Sequence, residues 1–153
     1  MPDTTGYDRC RDHSARITPT YIFDMDGTLS LMGDRSPYDW ARVGEDLPND
    51  PVCHVARRLQ LHATIIVVSG RDEVCRTQTE FWLNAREIFP HALFMRPKGD
   101  NRPDYEIKKE IWHRHISATY PNVRGVFDDR PQVIRLWREL GLFVFDCGNG
   151  RGE

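Results

Sequence analysis

The stretch Tyr21-Ile22-Phe23-Asp24-Met25-Asp26-Gly27-Thr28-Leu29-Ser30 opens as a short apolar run of strand formers, which reads as a buried β-strand. Two carboxylates, Asp24 and Asp26, follow it, and then a Gly-Thr turn. Residues i and i+2 at a strand end point the same way, so both carboxylates can face one spot. Gly27 lets the backbone turn tightly and approach a ligand. Carboxylates held that close repel each other, so the pair needs a cation or shares a proton. With one ionised and one protonated, they can supply a nucleophile and a general acid. Two plainer readings compete: an acidic turn after a strand, and a calcium loop of the EF-hand kind. The calcium loop fails on spacing. With Gly27 at its sixth position, Ile22 stands first and Gly33 twelfth, where a glutamate is required.

Outward from this stretch the chain alternates strand and helix. Residues 1 to about 19 are polar and turn-rich, a loose N-terminal arm, and residues 20–153 are expected to form a single domain. Residues 30 to 50 lack a clean period and read as a loop or flap carrying Arg35, Tyr38 and Trp40. Asn49-Asp50-Pro51 starts a helix, with Asn49 as the cap, running to about Leu61 and burying Val52, Val55, Ala56 and Leu59. Ala63–Val68 is nearly all apolar, as expected of a strand covered on both faces of a parallel sheet, and it ends in Ser69-Gly70-Arg71. A long helix is expected from about Asp72 to Ile88, with Phe81, Trp82, Ala85 and Ile88 as its apolar stripe. Ala92–Met95 is a third strand, and a breaker-rich loop from Lys98 to Pro103 follows it. A helix from Asp104 to about Ile116 carries Lys108 and Lys109. A fourth strand, Val123–Phe127, ends in Asp128-Asp129-Arg130, and a helix over 131–140 leads to a fifth strand over 142–145. The fold class is therefore α/β, a Rossmann-like parallel sheet with right-handed crossovers and helices on both faces. Polar residues collect after strands one, two and four, at the carboxyl edge where such sheets bind ligands.

Composition excludes several function classes. The 153 residues carry a formal net charge of -2, so no global field draws in nucleic acid or membrane. No apolar run approaches the roughly 20 residues of a membrane span. Cys10, Cys53, Cys75 and Cys147 form no CxxC pair, and no secretory segment precedes them. They read as reduced thiols of a cytoplasmic protein. The cationic residues are 18 Arg and 3 Lys. A coding bias accounts for that skew, and planar phosphate-binding forks are the functional alternative.

The predicted edge gathers Asp24, Asp26, Asp128 and Asp129 with Ser69, Arg35, Arg71 and Lys108. Four carboxylates in one crevice are tolerable around a hard cation, and an oxygen-rich set suits Mg²⁺. Arginines and a lysine beside such a site suit an anionic substrate, and a phosphoryl group is the obvious one. The residues point to metal-assisted phosphoryl transfer.

In order, Asp24-Met25-Asp26-Gly27-Thr28, Ser69-Gly70-Arg71, Lys108 and Asp128-Asp129 resemble the four motifs of the haloacid dehalogenase superfamily of phosphohydrolases. The resemblance implies that Asp24 is the nucleophile, forming an aspartyl-phosphate, and that Asp26 protonates the leaving oxygen and later activates water. It implies Mg²⁺ held by the Asp24 carboxylate, the Asp26 backbone carbonyl and Asp128, with Asp129 in support. Ser69 and Lys108 would bind phosphoryl oxygens. A narrower likeness spans about 21 to 147. Residues 33–39, 67–71, 104–108 and 128–133 are similar to the phosphatase domain of phage polynucleotide kinase-phosphatase. It implies that Arg35 and Arg71, beside Gly70, contact the substrate phosphate, and that Asp104 supports Lys108 at i,i+4. It implies a polynucleotide 3′-phosphatase acting on DNA or RNA ends.

No GxxxxGK[ST] loop occurs, so no kinase activity is expected of this chain, and a separate kinase or ligase is the natural partner. The intervals from Leu29 to His62 and from Asp72 to Arg102 have room only for the core fold and a short flap. An essentially cap-less crevice follows, open to a polymer end. A small-metabolite or nucleotide phosphatase of the same superfamily is the alternative, and a catalytically silent phosphate-binding module the third reading. His113 and His115 stand two apart on a helix and make a poor metal pair. Tyr38 and Trp40 either stack on a base or pin the flap to the body.

Overall fold

A computed structural model describes residues 18–148, so the expected N-terminal arm, up to residue 17, lies outside the described residues, as does Cys10. Eleven elements follow in chain order: β1 (Thr20–Phe23), β2 (Ser30–Leu31), β3 (Leu47–Pro48), α1 (Asp50–Leu59), β4 (Thr64–Asp72), α2 (Arg76–Ala85), β5 (Ala92–Arg96), α3 (Asp104–Ile111), β6 (Val123–Asp128), α4 (Pro131–Glu139) and β7 (Val144–Asp146). Five strands form one sheet in the order β5-β4-β1-β6-β7, and every pairing in it is parallel. Short β2 and β3 pair antiparallel at the root of the flap, residues 32–46, whose far side is a 3₁₀ segment, Trp40–Glu45.

Side-chain alternation along the strands builds two cores. Ile22, Ile66, Val68, Val126 and Val144 face Ile107 and Ile111 of α3 and Val133, Ile134 and Trp137 of α4. Phe23, Ile65, Val67 and Phe127 face the other way, against Cys53 and Ala56 of α1 and Trp82 and Leu83 of α2. The sheet is thus covered on both faces, as its unbroken apolar strands require.

Some expectations were wrong in detail. Val55 is exposed and Cys53 takes the buried place on α1, because the helix presents a face rotated from the expected stripe. Asn49 makes no side-chain cap; its Nδ2 donates to the Thr28 carbonyl at 2.9 Å instead, tying α1 to the turn after β1. Strand β4 runs on to Asp72, so helix α2 begins only at Arg76 after a 3₁₀ turn, and Phe81 and Ala85 face solvent. A left-handed Glu87 (φ 58°) follows its end. Helix α3 gives way at Trp112 to a π turn running to Ile116.

Candidate active site

Three strands of the sheet end side by side and set out the site. Strand β1 ends at Phe23, and the Asp24 amide donates to the Phe127 carbonyl of β6 at 2.9 Å, so Asp24 enters at the carboxyl edge. Beyond it the chain turns back on itself: Gly27 N–H donates to the Ser30 carbonyl at 2.7 Å, with Gly27 at φ 85°. A side chain at Gly27 would put its first carbon 2.1 Å from the Asp129 carboxylate, so glycine is needed for conformation and for room. Gly70 is small for the same reason, since a Cβ there would lie 2.0 Å from Asp104 Oδ1.

Lys108 occupies the centre. It is fully buried, and its ammonium donates to Asp24 Oδ1 at 2.7 Å and Asp128 Oδ2 at 2.9 Å, with Asp104 Oδ2 3.5 Å away. Burial alone would pull its pKa down, but Asp128, Asp24 and Asp104 outweigh that and hold it well above the ordinary lysine value. Asp128 is held on every side. Its Oδ1 accepts the Asp129 and Arg130 amides at 2.9 and 3.2 Å, and the Trp137 indole donates to Oδ2 at 3.2 Å. Burial pushes the Asp24 carboxyl well up, Lys108 pulls it back, and Asp128, Asp104 and Asp129 add to the rise. Asp129 is raised too, by burial first and Asp128 second. Carboxyl oxygens of Asp24, Asp128 and Asp129 lie within 4.8 Å of one another. Three crowded acidic oxygen donors, two of them with raised pKa, form a set that fits a hard divalent cation.

Asp26 sits in a second cluster that borders the same crevice as the first. Arg71 donates to it from Nε at 3.0 Å and Nη2 at 2.8 Å, and Arg35 from Nη2 at 3.2 Å. Burial pushes Asp26 up, but the Arg71 hydrogen bonds and the charges of Arg71 and Arg35 overcome it, so its pKa falls below the usual carboxylate value. Both arginines also bind Asp46. Arg35 donates to it from Nε and Nη2, each at 2.7 Å, and Arg71 from Nη2 at 2.7 Å. Nη1 of Arg71 donates to Thr79 Oγ1 at 3.1 Å. Arg35 and Arg71 are thus buried at 5% and 0% exposure, with their guanidiniums engaged on protein carboxylates.

The structure therefore brings Asp24, Asp128, Asp129, Asp104 and Lys108 into one group and Asp26, Arg35 and Arg71 into an adjoining one. Ser69 is fully buried, and its Oγ accepts the Arg71 amide at 3.1 Å. The expected reading missed Asp46, one of five acids between residues 34 and 50. No period or motif in the flap marks which of those five turns inward.

Asp24, Asp26, Gly70 and Asp104 floor a crevice of about 640 Å³. Pro37, Tyr38 and Trp40 of the flap line it, as do Asp100, Asn101, Arg102 and Arg130. From β1 to β4 the chain supplies only the flap and α1, so among the described residues no separate lid covers the crevice.

Residues 18–151 match the family described as the polynucleotide kinase PNKP phosphatase domain. A protein of Autographa californica nuclear polyhedrosis virus, named as a bifunctional polynucleotide kinase/RNA ligase, is 40% identical over 125 residues, which are 79% of this chain and 18% of that protein. Two solved structures, of a Pnkp1/Rnl/Hen1 complex and of the Pnkp1/Rnl/Hen1 RNA repair complex, each superpose with a TM-score of 0.81 at 38% identity. They cover 86% and 88% of this chain, which in turn spans 46% and 44% of those chains. The chain thus covers less than half of each of these relatives. By the extent of the family match and the likeness of its fold, it belongs to the polynucleotide kinase PNKP phosphatase domain family.

Proposed function

We propose that this chain is a Mg²⁺-dependent polynucleotide 3′-phosphatase that works through an aspartyl-phosphate on Asp24. The observation that carries the reading is the placement of Asp24: one oxygen on protonated Lys108, its carboxylate within a three-acid cluster, and an uncapped crevice in front. Asp24, Asp128 and the Asp26 backbone carbonyl would hold the cation, with Asp129 beside them. When bound, the cation neutralises the acidic cluster and the phosphoryl charge.

The protein groups divide the remaining work. An Asp24 oxygen forms the new P–O bond as the bond from phosphorus to the 3′ oxygen breaks, and Asp26 gives the leaving oxygen its proton. Asp26 then takes a proton from water, which attacks phosphorus and frees inorganic phosphate and Asp24. Its lowered pKa suits this second step, which needs a carboxylate; a phosphate dianion arriving beside it favours the protonated form needed first. Lys108 neutralises the nucleophile's charge and orients the phosphoryl oxygens. The resemblance casts Arg35, Arg71, Ser69 and Gly70 as substrate-phosphate residues, and for the two arginines we propose an indirect part in that role. Because both guanidiniums are engaged on Asp26 and Asp46, the arginines act through Asp26, fixing the proton donor against the phosphate. Asp104 holds Lys108 in place.

The viral relative's name couples kinase and ligase functions in one protein, and the two solved structures are of Pnkp1/Rnl/Hen1 complexes. A separate kinase or ligase is the partner proposed here, with DNA or RNA 3′ ends as substrate and a cytoplasmic location. Among the described residues no helix is long and apolar enough to cross a membrane. Phosphate release from an oligonucleotide 3′-phosphate, beside 5′-phosphorylated and mononucleotide controls, tests the proposal. The oligonucleotide 3′ end should be the best substrate, and excess chelator should silence the reaction. A kcat/KM as high on a free small phosphate ester would overturn the polynucleotide reading and leave the phosphatase chemistry standing.

A further inference from the structure

We infer that Tyr38 is a stacking platform for an unpaired nucleobase close to the 3′ end of the substrate strand, an inference that rests on the polynucleotide reading above. The two flap aromatics share a contact but not a role. Trp40 is half-buried and packs on the small core of Val43, Cys75 and Met95, so it pins the flap to the body. Tyr38 is 81% exposed and touches Trp40 only edge-on, with ring centroids 6.3 Å apart and planes at 89°. Pinning cannot explain a ring that buries so little. It leaves a large aromatic face in water at the rim of the crevice that holds Asp24 and Asp26.

The surroundings favour a base over other occupants. Arg130, with its side chain 56% exposed and 3.5 Å from Asp104, lines the same crevice within reach of strand phosphates, whereas Arg102, 41% exposed, is paired with Asp100 at 2.7 Å and Glu110 at 2.6 Å. An exposed aromatic ring and a partly exposed arginine in one crevice match the pattern by which proteins hold single strands, with bases on rings and phosphates on cations. The ring is also tied to the chemistry. Arg35, three residues before it, hydrogen-bonds Asp26 and donates to the Ser36 carbonyl at 3.2 Å, while the Tyr38 amide donates to Ser36 Oγ at 3.4 Å. A base on Tyr38 is thereby referenced to the proton-donating carboxylate.

Steady-state kinetics of the whole chain with two substrates test this: a single-stranded oligonucleotide 3′-phosphate, and the same strand with abasic sugars at its last two positions. Tyr38→Ala should raise KM for the normal strand by about tenfold, with a smaller change in kcat. Tyr38→Phe, which keeps the ring, should restore it. On the abasic strand the wild-type protein should already show the raised KM, and Tyr38→Ala should add little, because the same contact cannot be lost twice. An equal further loss on the abasic strand, or an equal loss on a small phosphate monoester, overturns the platform and makes Tyr38 a support of the active site. A normal KM in Tyr38→Ala overturns it as well. If the wild-type protein has no preference for the strand over the monoester, the polynucleotide reading itself fails, and the platform with it.

Discussion

The Arg71 guanidinium grips both carboxylate oxygens of Asp26 side-on, with Nε 3.0 Å from Oδ2 and Nη2 2.8 Å from Oδ1, while Nη2 also meets Asp46 Oδ2 at 2.7 Å. A planar fork is required to serve both acids at once, and a lysine point charge cannot do so. Arg71→Lys should therefore lower kcat by about tenfold or more even where the protein folds. Near-normal kinetics in Arg71→Lys would show that the aim of Asp26 does not depend on the fork.

Asp46 has its side chain 1% exposed and answers two buried guanidiniums. Asp46→Asn leaves Arg35 and Arg71 with Asp26 as their single carboxylate. Breaking a buried ion pair on one side costs about 3 kcal/mol or more, and urea unfolding should register a loss of that order. Activity should fall as well, because the arginines re-sort around Asp26. An unchanged midpoint with unchanged turnover would reduce Asp46 to a bystander.

The proposed nucleophile, Asp24, has a sharper signature. Asp24→Asn should cost several orders of magnitude in turnover, and acid quenching during turnover should trap phosphate on the wild-type protein but not on the variant. A tenth of the normal activity in Asp24→Asn would rule out the covalent route.

The same residue sets a pH dependence of stability in protein free of metal. Burial raises Asp24 above the ordinary value of 3.8, so its protonated form favours folding. That contribution is complete below about pH 4 and drains away as the pH rises through the folded value. The Tm difference between Asp24→Asn and wild type in chelator should therefore grow in the variant's favour from about pH 4 towards neutrality. Added Mg²⁺ should raise the wild-type Tm at neutral pH by neutralising the cluster. A Tm difference that is flat across this range would contradict the assignment.

Gly27→Ala should destabilise the protein by about 1–2 kcal/mol through the left-handed backbone alone, and more through the clash with Asp129. Activity should fall further than stability, since Asp129 is displaced from the acidic cluster. Retention of both would mean that the turn relaxes without moving Asp129.

What could be read from the chain was what periodicity and strand ends determine. Apolar runs such as Ile65–Val68 specify a strand covered on both faces, and polar residues directly after β1, β4 and β6 must share an edge. Lys108 was placed by its helix and by resemblance, and its three carboxylate neighbours follow from that placement. Helix faces were less legible. Phe81 and Val55 are apolar yet exposed, and the buried places went to Thr79 and Cys53, because a late helix start and the local packing rotate the face. Asp46 was hidden for another reason. It meets Arg35 eleven residues away and Arg71 twenty-five away, through a flap with no period to announce which of its acids turns inward.

That flap has a further consequence. Its root is a hairpin of two residues per strand, while its inner surface, Arg35 and Asp46, helps hold Asp26, the proposed acid–base carboxylate, in place. A segment with so little backbone pairing opens at lower cost than the five-stranded sheet. The enzyme should therefore be inactivated before it unfolds: in rising urea, catalysis should disappear while the sheet's circular dichroism is intact, and dilution should restore it without refolding of the core. The working lifetime of the active form is then governed by the opening of some fifteen residues rather than by the global stability of the domain.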